Sequence, residues 1–293
     1  MRLVTYESND TVQVGILNAE FGKIAPIKEL GLPYKDMNAL ITGIKEEEWE
    51  MLRSAGRDAF SVSASDVKIL APIPHPLQDV ICLGLNYTEH ASEAAAYSSE
   101  AFTKKDKRYP IYFSKRVNEA PGPEGDIPAY EGLVDRLDYE CELAVIIGKD
   151  AKNVPREKAA EYIFGYTVLN DVSARNLQTA HTQWYFGKSL DGFTPMGPVL
   201  TTADEIAFPP ALKISCRING ELRQNSVTDM LMTGIDEIIS ELSSGITLKA
   251  GTIIATGTPK GVGMGFDPPI WLKAGDVVEC EIEKIGVLRN YVV

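Results

Sequence analysis

The chain has 293 residues, with 29 Lys and Arg against 41 Asp and Glu, a net charge of −12; 44% of residues are hydrophobic and 24% charged. That composition is globular rather than disordered, and the length suits one large domain or two unequal ones. The acidic balance disfavours nucleic acid, whose phosphates call for a positive surface, but it leaves small anionic substrates open, because cations or a metal inside a cleft reverse the local field.

The opening residues, MRLVTYESND, lack a signal peptide's apolar core, since Glu7 and Asp10 arrive early. The best apolar run, 143–148, is strand-sized and far short of the roughly 18 residues of a membrane helix. Residues 1–70 are expected to form a small N-terminal α+β domain. Residues 12–17 alternate as a strand, and 46–52 have helical period. Next comes Ala71-Pro72-Ile73-Pro74-His75-Pro76, whose alternate prolines hold the chain extended, and the boundary to a second domain (71–293) is placed there. Beyond it, short strands are predicted at 79–83, 111–113, 143–147, 166–169, 212–218, 252–255 and 277–282. Ile235, Ile238, Ile239 and Leu242 recur at helical spacing, with Gly245 as the expected C′ residue. Strands without regular helical crossovers predict a mainly β, α+β fold, a mixed and largely antiparallel sandwich or roll. The polar stretch 98–108 reads as a mobile surface loop. Cys82, Cys141, Cys216 and Cys280 lie far apart in apolar settings and are expected as reduced core thiols in a soluble cytoplasmic protein.

Several residues carry chemistry in their spacing. Asn86 with Glu89 three residues on resembles a capping box, so a helix is expected to start there. His90 and Glu93 then share a face, and a carboxylate beside an imidazole raises its basicity and fixes its tautomer, as a general base needs. An incidental surface pair is the plain alternative. His75 and His181 lack such companions and are read as structural; with three histidines in the chain, a multi-His zinc site is disfavoured.

Asp138-Tyr139-Glu140-Cys141-Glu142-Leu143 opens a strand in which Glu140 and Glu142 point the same way, about 6–7 Å apart. Either a cation sits between them or the face is solvated. Asp171 follows the strand around 166–169. With Arg175 and Gln178 four and seven residues on, all three can share one helical face, and Asp171 is either a third oxygen ligand for a hard cation such as Mg²⁺ or Mn²⁺ or simply the N-cap of a short helix. Lys188 follows Trp184, Tyr185 and Phe186, where it meets a carboxylate or oxyanion, or simply snorkels. The run Thr256-Gly257-Thr258-Pro259-Lys260-Gly261-Val262-Gly263 lacks Walker spacing, and Pro268-Pro269 prevents the helix of a dinucleotide fingerprint, so ATP and NAD are disfavoured. The turn still suits Thr258 and backbone N–H groups against a small anion.

In chain order, the matching runs are Gly84-Leu85-Asn86-Tyr87-Thr88-Glu89-His90, Leu137 to Leu143, Phe164-Gly165-Tyr166 through Asp171 to Gln178, Gly187-Lys188-Ser189-Leu190-Asp191, Pro195-Met196-Gly197-Pro198 and the 256–263 turn. Through them, residues 72–293 resemble the fumarylacetoacetate hydrolase superfamily, most of all its acylpyruvate hydrolase and oxaloacetate decarboxylase branch, which includes members with an extra N-terminal unit. The resemblance implies a mixed β-sandwich roll, usually a homodimer, binding Mg²⁺ or Mn²⁺, with Ca²⁺ as a further candidate. It implies Glu140, Glu142 and Asp171 as metal ligands, and His90 with Glu93 as a water-activating dyad on a lid helix. It implies Lys188 as a catalytic residue, and Arg175, Gln178, Thr258 and Lys115 as substrate-binding residues. The length of 94–108 varies across the family, and that segment belongs to the lid.

The implied reaction is metal-dependent C–C cleavage of a small 2-oxo or 2,4-dioxo acid through an enolate, as in acylpyruvate or fumarylpyruvate hydrolysis. Oxaloacetate decarboxylation, or isomerisation of a 2-hydroxyhepta-2,4-diene-1,7-dioate type of substrate, uses the same electron sink. A non-catalytic binding protein stabilised by a cation is the alternative of another class. Neither nucleic acid nor membrane is expected as a partner.

Overall fold

Strands covered on both faces are continuously apolar, and strands covered on one face alternate, in the computed structural model, which describes residues 1–96 and 109–293. The loop expected at 98–108, and the lid segment beyond residue 96 up to 108, lie outside the described residues. The N-terminal part contains β1 (Arg2–Ser8), β2 (Thr11–Leu17), β3 (Lys23–Pro26), α1 (Met37–Gly43), α2 (Glu46–Arg53), β4 (Val62–Ser63) and β5 (Lys68–Ile69). Asp36 starts α1 by accepting the Ala39 N–H at 2.7 Å, and Glu46, Glu47 and Glu48 place negative charge at the N-terminus of α2, where the helix dipole favours it.

The chain continues with β6 (Val80–Gly84), α3 (Thr88–Ala96), β7 (Ile111–Lys115), β8 (Asp126–Ile127) and β9 (Leu137–Asp138). Then come β10 (Cys141–Ile147), β11 (Ile163–Asn170), β12 (Ser173–Ala174), α4 (Arg175–Ala180) and α5 (Tyr185–Lys188). The remainder is β13 (Met196–Thr202), β14 (Lys213–Ile218), β15 (Glu221–Val227), α6 (Ile235–Gly245), β16 (Ile253–Ala255), β17 (Val277–Ile282) and β18 (Gly286–Val292).

The main sheet runs β4-β3-β2-β1-β13-β11-β10-β16-β6-β7, with β5 on β1, and a second sheet runs β15-β14-β17-β18-β8. Pairing is antiparallel except for β16 with β6 and β18 with β8. This is the α+β architecture, dominated by β-structure, that the strand pattern predicts. β10, β11 and β13 pack against the second sheet. Leu143, Val145 and Ile147 face that sheet in one core with Ile214, Val278 and Leu288, while Ala144 and Ile146 join Leu40, Ile41 and Leu52 in another. Burial of β10 on both faces explains its continuous apolar run from Leu143 to Ile147.

The strand of residues 2–8 pairs directly with β13, Leu3 opposite Leu200, so the sheet crosses the position at which the sequence suggested a boundary. Gly245 is the last residue of α6, and the cap is Ile246 in extended geometry (φ −107°, ψ 138°), so the left-handed stop expected at the glycine is not used. The four cysteines are buried and free. No helix among the described residues is long and apolar enough to cross a membrane.

Candidate active site

The register of two strands assembles the acids. β10 and β11 are antiparallel, with Cys141 opposite Asn170, so the start of one lies beside the end of the other. Asn170 Oδ1 accepts the Glu140 N–H at 3.0 Å, and the Asp171 N–H donates to Glu140 O at 2.8 Å. Glu140, Glu142 and Asp171, all buried, thereby bring one carboxylate oxygen each within 4.8 Å of the others. Asp171 is not an N-cap. Residues 173–174 stay extended to pair with β9, α4 begins after Ala174, and Arg175 and Gln178 share a helix to which Asp171 does not belong.

Buried acids this close need cations. Lys188 Nζ bridges Glu140 Oε2 at 2.7 Å and Asp171 Oδ2 at 2.8 Å. Arg175 meets the other Glu140 oxygen at 2.7 Å, donates to Asp138 Oδ2 at 2.9 Å and donates to Gln178 Oε1 at 3.0 Å. Lys115 donates to Asp171 Oδ1 at 2.5 Å and to Val172 O at 3.1 Å; it is fully buried behind Asp171 and does not line the cavity. Among the described residues Glu142 has no such partner and receives only the Gly257 N–H, at 2.7 Å.

The titration behaviour follows that asymmetry. Burial opposes the charge on Glu140, yet Lys188 and Arg175 outweigh it and hold the carboxyl well below its ordinary value. Burial, reinforced by Asp171 and Glu140, pushes Glu142 well above its own. Burial also lowers Lys115, offset in part by Asp171, whereas Asp171 and Glu140 overcome burial and raise Lys188.

A second pair of strands delivers the dyad. β16 and β6 run in parallel, so the 256–265 turn and α3 leave the sheet at the same end. Asn86 is not a capping residue. Its amide donates to Thr233 O at 3.1 Å and Thr256 O at 2.9 Å while its oxygen accepts the Thr233 N–H at 2.8 Å, tying the two exits together. Gly257 passes so close that a Cβ there would stand 2.8 Å from Asn86 Cβ, and its φ is +99°. His90, 5% exposed, holds Glu93 Oε2 at 2.9 Å through Nδ1, and Glu93 Oε1 accepts the Gly261 N–H at 3.0 Å.

His90, Glu140, Glu142, Arg175, Gln178, Lys188 and Thr258 line one enclosed cavity, whose remaining wall is apolar: Leu83, Leu85, Ala94, Phe113, Trp184 and Met264. Phe113 meets Trp184 edge-on at 5.2 Å and supports Lys188 Nζ from 5.2 Å. The free space is about 20 Å³, enough for water. Grooves of about 850 and 890 Å³ lie elsewhere, lined by mixed surface groups without the acid cluster. Thr258 contributes differently from expectation. Its single hydroxyl proton goes to Cys141 O at 2.9 Å and its oxygen accepts Gln224 Nε2 at 2.8 Å, so it does not donate to a ligand in this arrangement. His75 is exposed, with Nδ1 3.0 Å from Asn118 O, and His181 stacks edge-on with Phe186; neither touches the cavity.

The family model of the fumarylacetoacetate (FAA) hydrolase C-terminal domain matches residues 79–293. The chain belongs to this enzyme family. Oxaloacetate tautomerase YisK of Bacillus subtilis (strain 168) is 44% identical over 245 residues, covering 84% of this chain and 79% of that protein. The mitochondrial oxaloacetate tautomerase fahd2 of Xenopus laevis is 38% identical over 300 residues, covering 100% and 90%. A solved fumarylacetoacetate hydrolase from the psychrophile Exiguobacterium antarcticum superposes with a TM-score of 0.83 at 36% identity, covering 100% of this chain and 99% of that one.

Enzymes of this family generally use a divalent metal, and the donor set here fits one. Three buried carboxylates offer hard oxygen ligands. Around them, the acids Asp138, Glu140, Glu142 and Asp171 outnumber the cations Lys115, Arg175 and Lys188, four to three, and the uncompensated charge falls on Glu142.

Proposed function

We propose that the chain interconverts keto and enol forms of a small 2-oxo acid in a divalent-metal-dependent reaction, with oxaloacetate the first substrate to test. The carrying observation is that His90, held by Glu93, lines the same cavity as Glu140 and Glu142, the two strand acids that Asp171 joins in the buried trio. The two tautomerases among the relatives support oxaloacetate.

Glu140, Glu142 and Asp171 would hold the ion, which when bound supplies Lewis-acid polarisation of the 2-oxo group. With Nδ1–H directed at Glu93, the ring presents Nε2 as a base. Nε2 takes a proton from C3 and returns it to the C2 oxygen, so the net change is the shift of one proton. Glu93 steadies the imidazolium that exists in between. Lys188 and Arg175 supply fixed positive charge for the substrate carboxylate, and Gln178 adds a polar amide. The apolar wall keeps water from competing for the proton.

A second reading keeps these roles and lets Nε2 deprotonate a water that attacks C4 of a 2,4-dioxo acid, giving acylpyruvate hydrolysis. Leu85, Phe113, Trp184 and Met264 favour it, since they suit an acyl group. The test follows the enol absorbance of oxaloacetate, and product release from acetylpyruvate and fumarylpyruvate, with Mn²⁺ or with EDTA. Faster keto–enol exchange than Mn²⁺ alone supports the first reading. Exchange no faster than Mn²⁺ alone, with cleavage of a dioxo acid, replaces it by the second.

A further inference from the structure

Two glycines two residues apart each accommodate a carboxylate. A Cβ on Gly263 would stand 2.7 Å from Asp138 Oδ1, and one on Gly265 would stand 2.0 Å from Glu93 Oε1. Between them Met264 lines the cavity. Asp138 is fully buried, and four donors converge on it. The N–H groups of Tyr139 and Gly263 reach Oδ1 at 2.9 and 2.6 Å, and the Met264 N–H and Arg175 Nε reach Oδ2 at 3.1 and 2.9 Å. A carboxylate with every acceptor position in use is held in one orientation, and it holds its donors in turn.

We infer that Asp138 is a positioning residue that couples the acid trio to the His90–Glu93 dyad. On one side it aims Arg175, whose guanidinium meets Glu140 at 2.7 Å. On the other it anchors Gly263 and Met264, in the same turn whose Gly261 N–H holds Glu93. Cation binding at Glu140 therefore tightens the turn on which Glu93 rests. The kcat test below depends on the proposed function; the other measurements do not.

Hydrogen exchange in the wild-type chain tests the coupling without any substitution. Mn²⁺ is expected to slow exchange of the amides at 261–264 more than those of β18, which lies in the second sheet; equal slowing, or none, overturns the inference. Asp138→Asn keeps the side chain's size but turns one acceptor into a donor. Calorimetry is expected to give about tenfold or greater weakening of Mn²⁺ binding, with kcat at saturating Mn²⁺ reduced and KM little changed. A Kd within twofold of wild type overturns the arm through Arg175. Gly265→Ala, which displaces Glu93, is expected to lower kcat while weakening Mn²⁺ binding less than Asp138→Asn does, since it reaches the ion only through the turn. The combined variant is expected to be no slower than the slower single variant, and fully multiplied losses overturn the shared route.

Discussion

Glu142 Oε2 accepts the Gly257 N–H at 2.7 Å, and no Lys or Arg among the described residues reaches this carboxylate. Glu140 and Asp171, by contrast, each meet two cations. A buried acid lacking a counter-ion is costly to the empty protein and valuable to a bound cation. Glu142→Gln is accordingly expected to raise the melting temperature in EDTA while weakening Mn²⁺ binding by more than about 100-fold, since a ligand matters more than the groups around it. Retained Mn²⁺ affinity would remove Glu142 from the ligand set.

The same residue gives the metal-free protein a pH dependence. The folded Glu142 carboxyl titrates well above its unfolded value, because burial and then Asp171 and Glu140 disfavour the charged form. Its contribution is fully present below about 4.3, the ordinary Glu value, and is lost as pH rises through the folded value. Glu140 acts oppositely, since its depressed value gives stability that is lost only as pH falls below the ordinary range. Urea midpoints in EDTA are therefore expected to decline as pH rises above about 4.3, and Glu142→Gln to flatten the decline. A flat wild-type profile contradicts this assignment.

His90 and Glu93 stand apart from the acid trio in what they do. His90→Gln is expected to lower kcat about 10²- to 10⁴-fold, the usual range for losing a general base. Glu93→Gln should fall short of that, because it disturbs the tautomer without removing the ring. Both should weaken Mn²⁺ binding far less than loss of a trio carboxylate, because neither Glu93 nor the His90 ring belongs to the ligand trio and each reaches it through the shared turn. Stopped-flow enol decay and calorimetry on the same preparations separate the two effects.

Close packing of β11 against β13 offers a stability test far from the chemistry. A Cβ on Gly165 would lie 2.3 Å from Thr201 O, a backbone atom that cannot swing away. Gly165→Ala is expected to cost about 1–3 kcal/mol or more, read as a lower urea midpoint with an unchanged slope.

How much of this the chain discloses by inspection depends on how local the cause is. The apolar run at 143–147 and the i, i+3 spacing of His90 and Glu93 are short-range, and both features stand where they were expected. Asn86 misled because Asn and a later Glu mark caps in general, while here its partners are Thr233 and Thr256, 147 and 170 residues away. For Asp171 only the N-cap alternative falls away, since pairing of 173–174 with β9 keeps the backbone extended there, while the residue joins Glu140 and Glu142. Lys115 was expected to contact substrate, but β7 seats it behind Asp171 and off the cavity wall, a depth that is invisible in spacing. Asp138 escaped notice inside a motif already quoted, since its four donors come from three separate stretches of chain.

The pairing of β1 with β13 has a practical corollary for anyone trimming the protein. Removing residues 1–70 would strip the hydrogen-bonding partner from one side of β13 and leave an open sheet edge beside apolar Val199 and Leu200. Exposed edges of that kind recruit strands from other molecules, so a shortened form would tend toward self-association. Strand β1 thus occupies an edge of β13 that would otherwise stand open.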